Sequence, residues 1–287
     1  MKTYKNIIAA FMALMLIGSG LKAQDVCNVK ELLAGIKAKT VVVVAAEKPE
    51  DYSKSHIPGS VNIFHKDLYA EGAIESVIKS DAELAKIFGE KGLTADSKIV
   101  IYDAGSAKYS GRLYWILKYM GAKDVKILDG NLNAWKMARR PVTNKVTEIT
   151  ATTFTPNVNA SILCDMAAVM AAQNSASTVI LDVRADNEYK GLDEKSKLRK
   201  GHIPSSVNIE FKQVMTDKGL LKSKEELTKL FADAGITADK QVILYCASSV
   251  RAGVVYMALT TALDFKNVKV YDGAFNEWSA SNNKVVI

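Results

Sequence analysis

The sequence predicts an α/β protein made of two tandem, similar domains, each a mainly parallel sheet with helices on both faces. Three observations lead there. The chain repeats itself, each copy alternates short apolar runs with longer amphipathic ones, and a cysteine stands at a strand-to-helix junction in only one copy. The repetition is explicit: Ser55-His-Ile-Pro-Gly-Ser-Val-Asn-Ile63 returns as Gly201-His-Ile-Pro-Ser-Ser-Val-Asn-Ile209. Gly92-Leu-Thr-Ala-Asp96 returns as Gly235-Ile-Thr-Ala-Asp239, and Asp129-Gly-Asn-Leu-Asn-Ala-Trp135 as Asp272-Gly-Ala-Phe-Asn-Glu-Trp278. A spacing of about 143 residues is too long for a solenoid unit and fits one domain.

Strands are expected at residues 40–45, 98–102 and 125–128, with counterparts at 178–183, 241–245 and 268–271. Their near-continuous apolar character is that of strands covered on both faces. Helices are expected at 82–90, 110–120, 224–234 and 252–263. Such alternation implies parallel strands joined by crossovers, and ligands of such sheets bind beyond the carboxyl ends of the strands.

Residues 1–23 run from Lys2 and Lys5 through an apolar stretch over 7–17 to Gly18-Ser-Gly20 and Ala23. That order is a secretory signal peptide, so the protein is expected to be exported, periplasmic or secreted. The apolar run is shorter than the ~20 residues that span a bilayer, so no stable membrane insertion is expected. The first domain is then 24–142, a polar, Thr-rich linker with Pro156 covers 143–159, and the second domain is 160–287. The charge of +7 includes three lysines within residues 1–23, which leaves the rest of the chain near +4. This excess is too mild to point to nucleic acid, and no basic stripe is interleaved with aromatics. Three widely spaced cysteines make no disulfide framework, and no spacing of His, Cys or carboxylates resembles a metal site. No metal and no cofactor is expected, and Cys27 and Cys164, each just before an apolar helical stretch, read as structural.

Cys246 is different. It follows the apolar run ending at Tyr245 and precedes the helical stretch from Ala252, so its sulfur stands where a strand meets a helix N-terminus. Unpaired N–H groups and the helix dipole favour an anion there, and a nearby arginine favours the thiolate further. A lone cysteine is usually an inert small hydrophobe. The strand-to-helix setting, Ser248 and Ser249 in the loop, and Arg251 closing it argue instead for a nucleophile. Four residues separate Cys246 from Arg251, whereas cysteine phosphatases place five between the pair.

The Cys246-Ala-Ser-Ser-Val-Arg251 loop, the Asp182-Val-Arg184 strand end, the Gly201-His-Ile-Pro204 turn and the Asp272-Gly-(x4)-Trp278 segment together resemble the rhodanese family of sulfurtransferases. The resemblance covers nearly all of the chain after residue 25 and runs through it twice. It implies tandem rhodanese-like domains and transfer of a sulfane sulfur from a small anionic donor, thiosulfate or 3-mercaptopyruvate, to cyanide or a thiol. The carrier would be a persulfide on Cys246, with the N–H groups of Ala247, Ser248, Ser249, Val250 and Arg251 holding the charge. Tyr102-Asp103 aligns with Tyr245-Cys246, and an aspartate cannot make a persulfide, so the first domain is expected to be inactive and to wall one side of the cleft.

Only the second copy carries the Asp182 and Arg184 pair, and it has about eight extra residues before its turn, within the basic stretch that includes Arg199. The resemblance places arginines in these regions around the donor's anionic group. Arg184 is expected to touch substrate or brace the loop with Asp182, and Arg199 to reach substrate. His202 reads as shaping its turn, His56 as a proton carrier facing the cysteine across the domain cleft, and His65 has no supporting context. Ser248 matches a serine that polarises the donor in the 3-mercaptopyruvate branch, whereas Arg251 resembles single-domain thiosulfate enzymes, so both donors stay open. Trp135 and Trp278 read as core beneath the Asp-Gly turns. Two other classes fit part of the pattern, a cysteine-based phosphatase and a non-catalytic exported sulfur carrier or binding module. A thiolate outside the cytoplasm also calls for a thiol reductant protein as partner.

Overall fold

The computed structural model describes residues 25–287, so the expected signal segment lies outside the described residues. The first half runs β1 (Val26–Cys27), α1 (Val29–Ala38), β2 (Val42–Ala45), α2 (Pro49–Lys54), β3 (Val61–Asn62), α3 (Asp81–Glu90), β4 (Lys98–Tyr102), α4 (Lys108–Tyr119), β5 (Asp124–Leu128) and α5 (Asn131–Met137). The second half repeats this as β6 (Leu163–Cys164), α6 (Met166–Ala172), β7 (Thr178–Asp182), α7 (Asp186–Tyr189), β8 (Ser206–Asn208), α8 (Lys224–Asp233), β9 (Gln241–Tyr245), α9 (Ala252–Met257), β10 (Val268–Tyr271) and α10 (Ala274–Ala280). Each half forms a parallel five-stranded sheet, ordered β1-β5-β4-β2-β3 and β6-β10-β9-β7-β8.

The apolar runs become the inner strands because both their faces are covered: Ile101, Tyr102, Leu244 and Tyr245 are all fully buried. Helix starts follow local chemistry. Asn28, Ser80 and Ser223 each open a helix with a reciprocal capping box to a glutamate three residues on. The long helix expected over 252–263 instead passes from α9 into a π turn over Ala258–Ala262. There Thr260 and Thr261 donate their hydroxyls back to the carbonyls of Tyr256 and Met257, a bonding that distorts helices.

The repeated motifs do the same work in both copies. Tyr102 Oη accepts the Ile57 N–H and meets Ser60, and Tyr245 Oη does the same for Ile203 and Ser206. Trp135 donates to the Pro141 carbonyl and Trp278 to that of Lys284, fastening the end of each copy. The 143–159 segment lies docked on the first half: Thr152 N–H reaches Gly89 O at 2.8 Å, Phe154 is buried, and Asn157 N–H reaches Met120 O at 3.0 Å.

The halves meet along α4 and α9, with equivalent contacts on either side. Asp272 accepts the Ile78 N–H at 2.8 Å, and its counterpart Asp129 accepts the Leu221 N–H at 2.9 Å. Glycines allow the helices to touch at backbone distance, since a Cβ on Gly253 would stand 2.1 Å from the Gly111 carbonyl oxygen. Gly253→Ala is therefore expected to lose about 1 to 3 kcal/mol of stability, read as a lower midpoint in denaturant unfolding.

Candidate active site

Strand β9 ends at Tyr245, and Cys246 follows with its side chain fully buried against the apolar layer shared by the two halves. The loop after it is held from three sides. Phe275 N–H donates to the Cys246 carbonyl and Asn276 N–H to that of Ala247, both at 2.9 Å. Ser249 takes a left-handed conformation (φ 52°) that turns its hydroxyl inward onto Asp272 Oδ1 at 2.9 Å. Arg112 arrives from α4 of the other half. Its guanidinium bonds Ser249 Oγ and the Ser76 carbonyl, and reaches the Ser248 carbonyl and Asp272 Oδ1 at 3.3 Å each. Arg112 is 0% exposed, and its charge also faces the rings of Tyr69 and Trp115.

Arg251 closes the loop. It forks onto Glu188 of α7 at 2.5 and 2.8 Å, and its charge is also favoured by Cys246. Burial works against its charge, but Glu188 and Cys246 outweigh that and hold its pKa above the ordinary arginine value. Among the described residues, the N–H groups of residues 247–251 are not spent on any carbonyl or side chain, so they remain available to an anion at the loop.

The loop opens on a cleft of about 390 Å³. Its catalytic-half wall is Ala247, Ser248, Val250, Arg251 and Asn276, and its other wall is His65, Lys66, Tyr69, Glu75, Lys108 and Tyr109. His65 stacks on Tyr109 at 4.3 Å and its Nδ1 meets Tyr69 Oη at 2.7 Å. Burial first, then the charges of Arg112, Lys66 and Lys108, push the imidazole pKa down to about 4, so it is neutral at physiological pH. Burial pushes the Tyr69 hydroxyl up to about 12, so it keeps its proton.

Several expected positions fall elsewhere. His56 does not face the cysteine: its ring nitrogens meet the carbonyls of Tyr52 and Lys145, and it stacks on Tyr52. His202 meets Tyr189 O and stacks on Tyr189 in the same way, which gives the repeated turn its shared histidine. Arg184 lies away from the cleft, paired with Asp182 at 2.7 Å, bonded to Gly201 O at 2.8 Å and packed 3.9 Å over the Phe275 ring. It therefore braces the strand end and the residue that holds the Cys246 carbonyl. Arg199 bonds the carbonyls of Ser281 and Asn283 on the exposed surface, because the inserted basic stretch packs towards the end of the chain. Ser249 points at Asp272 and Arg112 rather than at the cleft.

Arg112, His65, Tyr69 and Lys108 come from the first copy, and no motif of the second marks Arg112, His65 or Tyr69. Glu188 follows the Asp182-Val-Arg184 run and its capping contact with Ala185 N–H at 3.1 Å was a local signal. Lys108 had a clearer signal, since it aligns with Arg251 across the repeat.

The first copy's loop folds around its own anion. Asp103, opposite Cys246 in the repeat, accepts N–H bonds from Gly105, Ala107, Tyr109 and Ser110 at 2.7 to 3.4 Å. Beside it sits Glu47, with one carboxyl oxygen unpartnered. Burial, then the Asp103 charge, push Glu47 up to about 7 against the pull of Lys136.

A covered thiol in a strand-to-helix loop, beneath a basic cleft shared by two parallel-sheet halves, defines a cysteine-dependent group-transfer site. Residues 28–138 and 165–281 match the rhodanese-like domain model, and the chain belongs to the rhodanese family. It is 32% identical over 251 residues to a putative thiosulfate sulfurtransferase of Mycolicibacterium smegmatis, covering 84% of this chain and 89% of that one. It is 31% identical over 235 residues to the 3-mercaptopyruvate sulfurtransferase of Escherichia coli, covering 80% and 83%. The crystal structure of the 3-mercaptopyruvate sulfotransferase SseA from Escherichia coli superposes with a TM-score of 0.80 at 27% identity, over 87% of this chain and 98% of that one.

Lysine cannot make the four bonds of the Arg112 fork at once. Arg112→Lys is expected to keep the fold by circular dichroism while lowering kcat/KM about 100-fold through displacement of the loop. Wild-type activity in that variant would remove the clamp from the account. Glu47 has a raised folded-state pKa, so its contribution is full below its unfolded value and is lost as pH rises through about 7. Glu47→Gln is expected to gain stability relative to the wild type between about pH 5 and pH 8 in paired thermal melts.

Proposed function

We propose that the protein is a sulfurtransferase that moves a sulfane sulfur from thiosulfate or 3-mercaptopyruvate to cyanide or a thiol through a persulfide on Cys246. The observation that carries this reading is Cys246 at the end of β9, in a loop closed by Arg251 whose N–H groups are unspent among the described residues. With thiosulfate, the thiolate attacks the outer sulfur, a new S–S bond forms to Sγ, and sulfite leaves with the electron pair of the broken bond. With 3-mercaptopyruvate the C–S bond breaks, and pyruvate leaves as its enolate and takes up a proton. The persulfide keeps the negative charge, which Arg251 and the loop amides stabilise. Cyanide then takes the outer sulfur as thiocyanate and returns the Cys246 thiolate. Two half-reactions through one covalent form give ping-pong kinetics.

The N-terminal segment 1–23, with its basic, apolar and small-residue order, supports export to the periplasm or medium. A thiol reductant protein there would return any oxidised Cys246 to the thiol, and complete burial of the sulfur limits how often that is needed. Incubation with thiosulfate or 3-mercaptopyruvate is expected to add about 32 mass units to the intact mature chain, removed by cyanide and absent in Cys246→Ser. Release of phosphate from an aryl phosphate with no thiocyanate formed would instead identify a phosphatase. Indifference of every activity to Cys246→Ser would leave a binding module.

A further inference from the structure

The arginines of the catalytic half are all committed. Arg184 is spent on Asp182 and Gly201, Arg199 on Ser281 and Asn283 outside the cleft, and Arg251 is forked onto Glu188 where it closes the cysteine loop. A donor whose reacting sulfur sits at Cys246 still carries a sulfonate or carboxylate that needs a positive partner in the cleft. The first half supplies two candidates. Lys66 pairs with Glu75 at 3.5 Å. Lys108 has no ion pair among the described residues, and its ammonium lies 4.7 Å from the Tyr109 ring that walls the cleft.

The placement of Lys108 follows from the duplication. It stands opposite Arg251 in the repeat, at the start of α4 as Arg251 stands at the start of α9. Because α4 and α9 meet back to back at Gly111 and Gly253, the two loop-closing cations line one cleft rather than two. The Asp103 carboxylate takes the N–H groups of Tyr109 and Ser110 beneath it, so the end of α4 is already supplied with an anion while the Lys108 side chain is not.

We infer that Lys108, from the half that lacks the cysteine, binds the oxyanion group of the sulfur donor and places its outer sulfur at Cys246. This rests on the sulfurtransferase reading and names the residue that selects charged donors. Lys66, tempered by Glu75, has the lesser part.

The test compares the mature wild type with Lys108→Gln, Lys108→Arg and Lys66→Gln, using thiosulfate, 3-mercaptopyruvate and the uncharged donor dimethyl trisulfide. Lys108→Gln is expected to raise KM for both anionic donors about tenfold with kcat within about twofold, to flatten the fall of kcat/KM with ionic strength, and to take the central sulfur of dimethyl trisulfide onto Cys246, with release of dimethyl disulfide, as the wild type does. Lys108→Arg restores KM, and Lys66→Gln shifts it less. An elevated KM for one anionic donor alone assigns Lys108 to that donor's sulfonate or carboxylate. An unchanged KM for both, or an equal loss with dimethyl trisulfide, overturns the inference and leaves the sulfurtransferase reading intact. If the wild type forms no persulfide from any donor, that reading falls. Thiosulfate titration of Cys246→Ser with and without Lys108→Gln then still decides whether Lys108 binds the anion.

Discussion

A guanidinium withdrawn completely from water has to be surrounded by acceptors, and Arg112 finds most of its acceptors in the other half of the molecule. Asp272, Ser249 Oγ and the Ser248 carbonyl belong to the half that carries the cysteine, whereas Arg112 and Ser76 belong to the half that does not. Removing one partner of a buried charge pair is far costlier than the pair is worth as a contact, so the cluster acts mainly as a constraint on geometry. It holds the loop only when both halves are in place. The second half by itself would keep its sheet and lose the shape of its loop.

The duplication explains why a chain with a cysteine in only one of its two loops keeps two copies of the scaffold. Both copies end their fourth strand in a loop suited to an anion, and the first copy fills that loop with the carboxylate of Asp103. The first copy supplies the clamp Arg112, the neutral imidazole of His65 and the protonated Tyr69 along the far wall. The second copy spends its own charges on bracing. Asp182 pairs with Arg184 beneath the loop and Glu188 with Arg251 at its end, so both arginines are held in place beside the cysteine's support.

Much of this could be read from the residues. The paired His-Ile-Pro and Asp-Gly motifs disclosed the duplication, and the apolar runs marked the inner strands because full burial on both faces leaves little room for polar residues. The short edge strands β1, β3, β6 and β8 could not be read, since two or three residues carry no periodicity and exist only by pairing with a neighbour. The thiol was readable from its strand-to-helix setting, and the change from Cys246 to Asp103 from the alignment of the copies. The partners of the thiol were not, because contacts such as Arg112 to Ser249 join residues 137 apart in sequence. Charge type alone misled: Arg199 lies in a basic stretch, yet it caps carbonyls at the end of the chain, and His56 sits in a repeated turn whose histidine supports the backbone.

The proposed transfer is a covalent relay, in which the donor's anion departs before any acceptor arrives. Its most direct measurement is rapid mixing of reduced mature protein with excess thiosulfate and no acceptor, with released sulfite counted against protein. A burst of about one sulfite per chain is expected, and none from Cys246→Ser. Sulfite that appears only after cyanide is added would mean direct transfer between two bound ligands, and the persulfide on Cys246 would have to be given up.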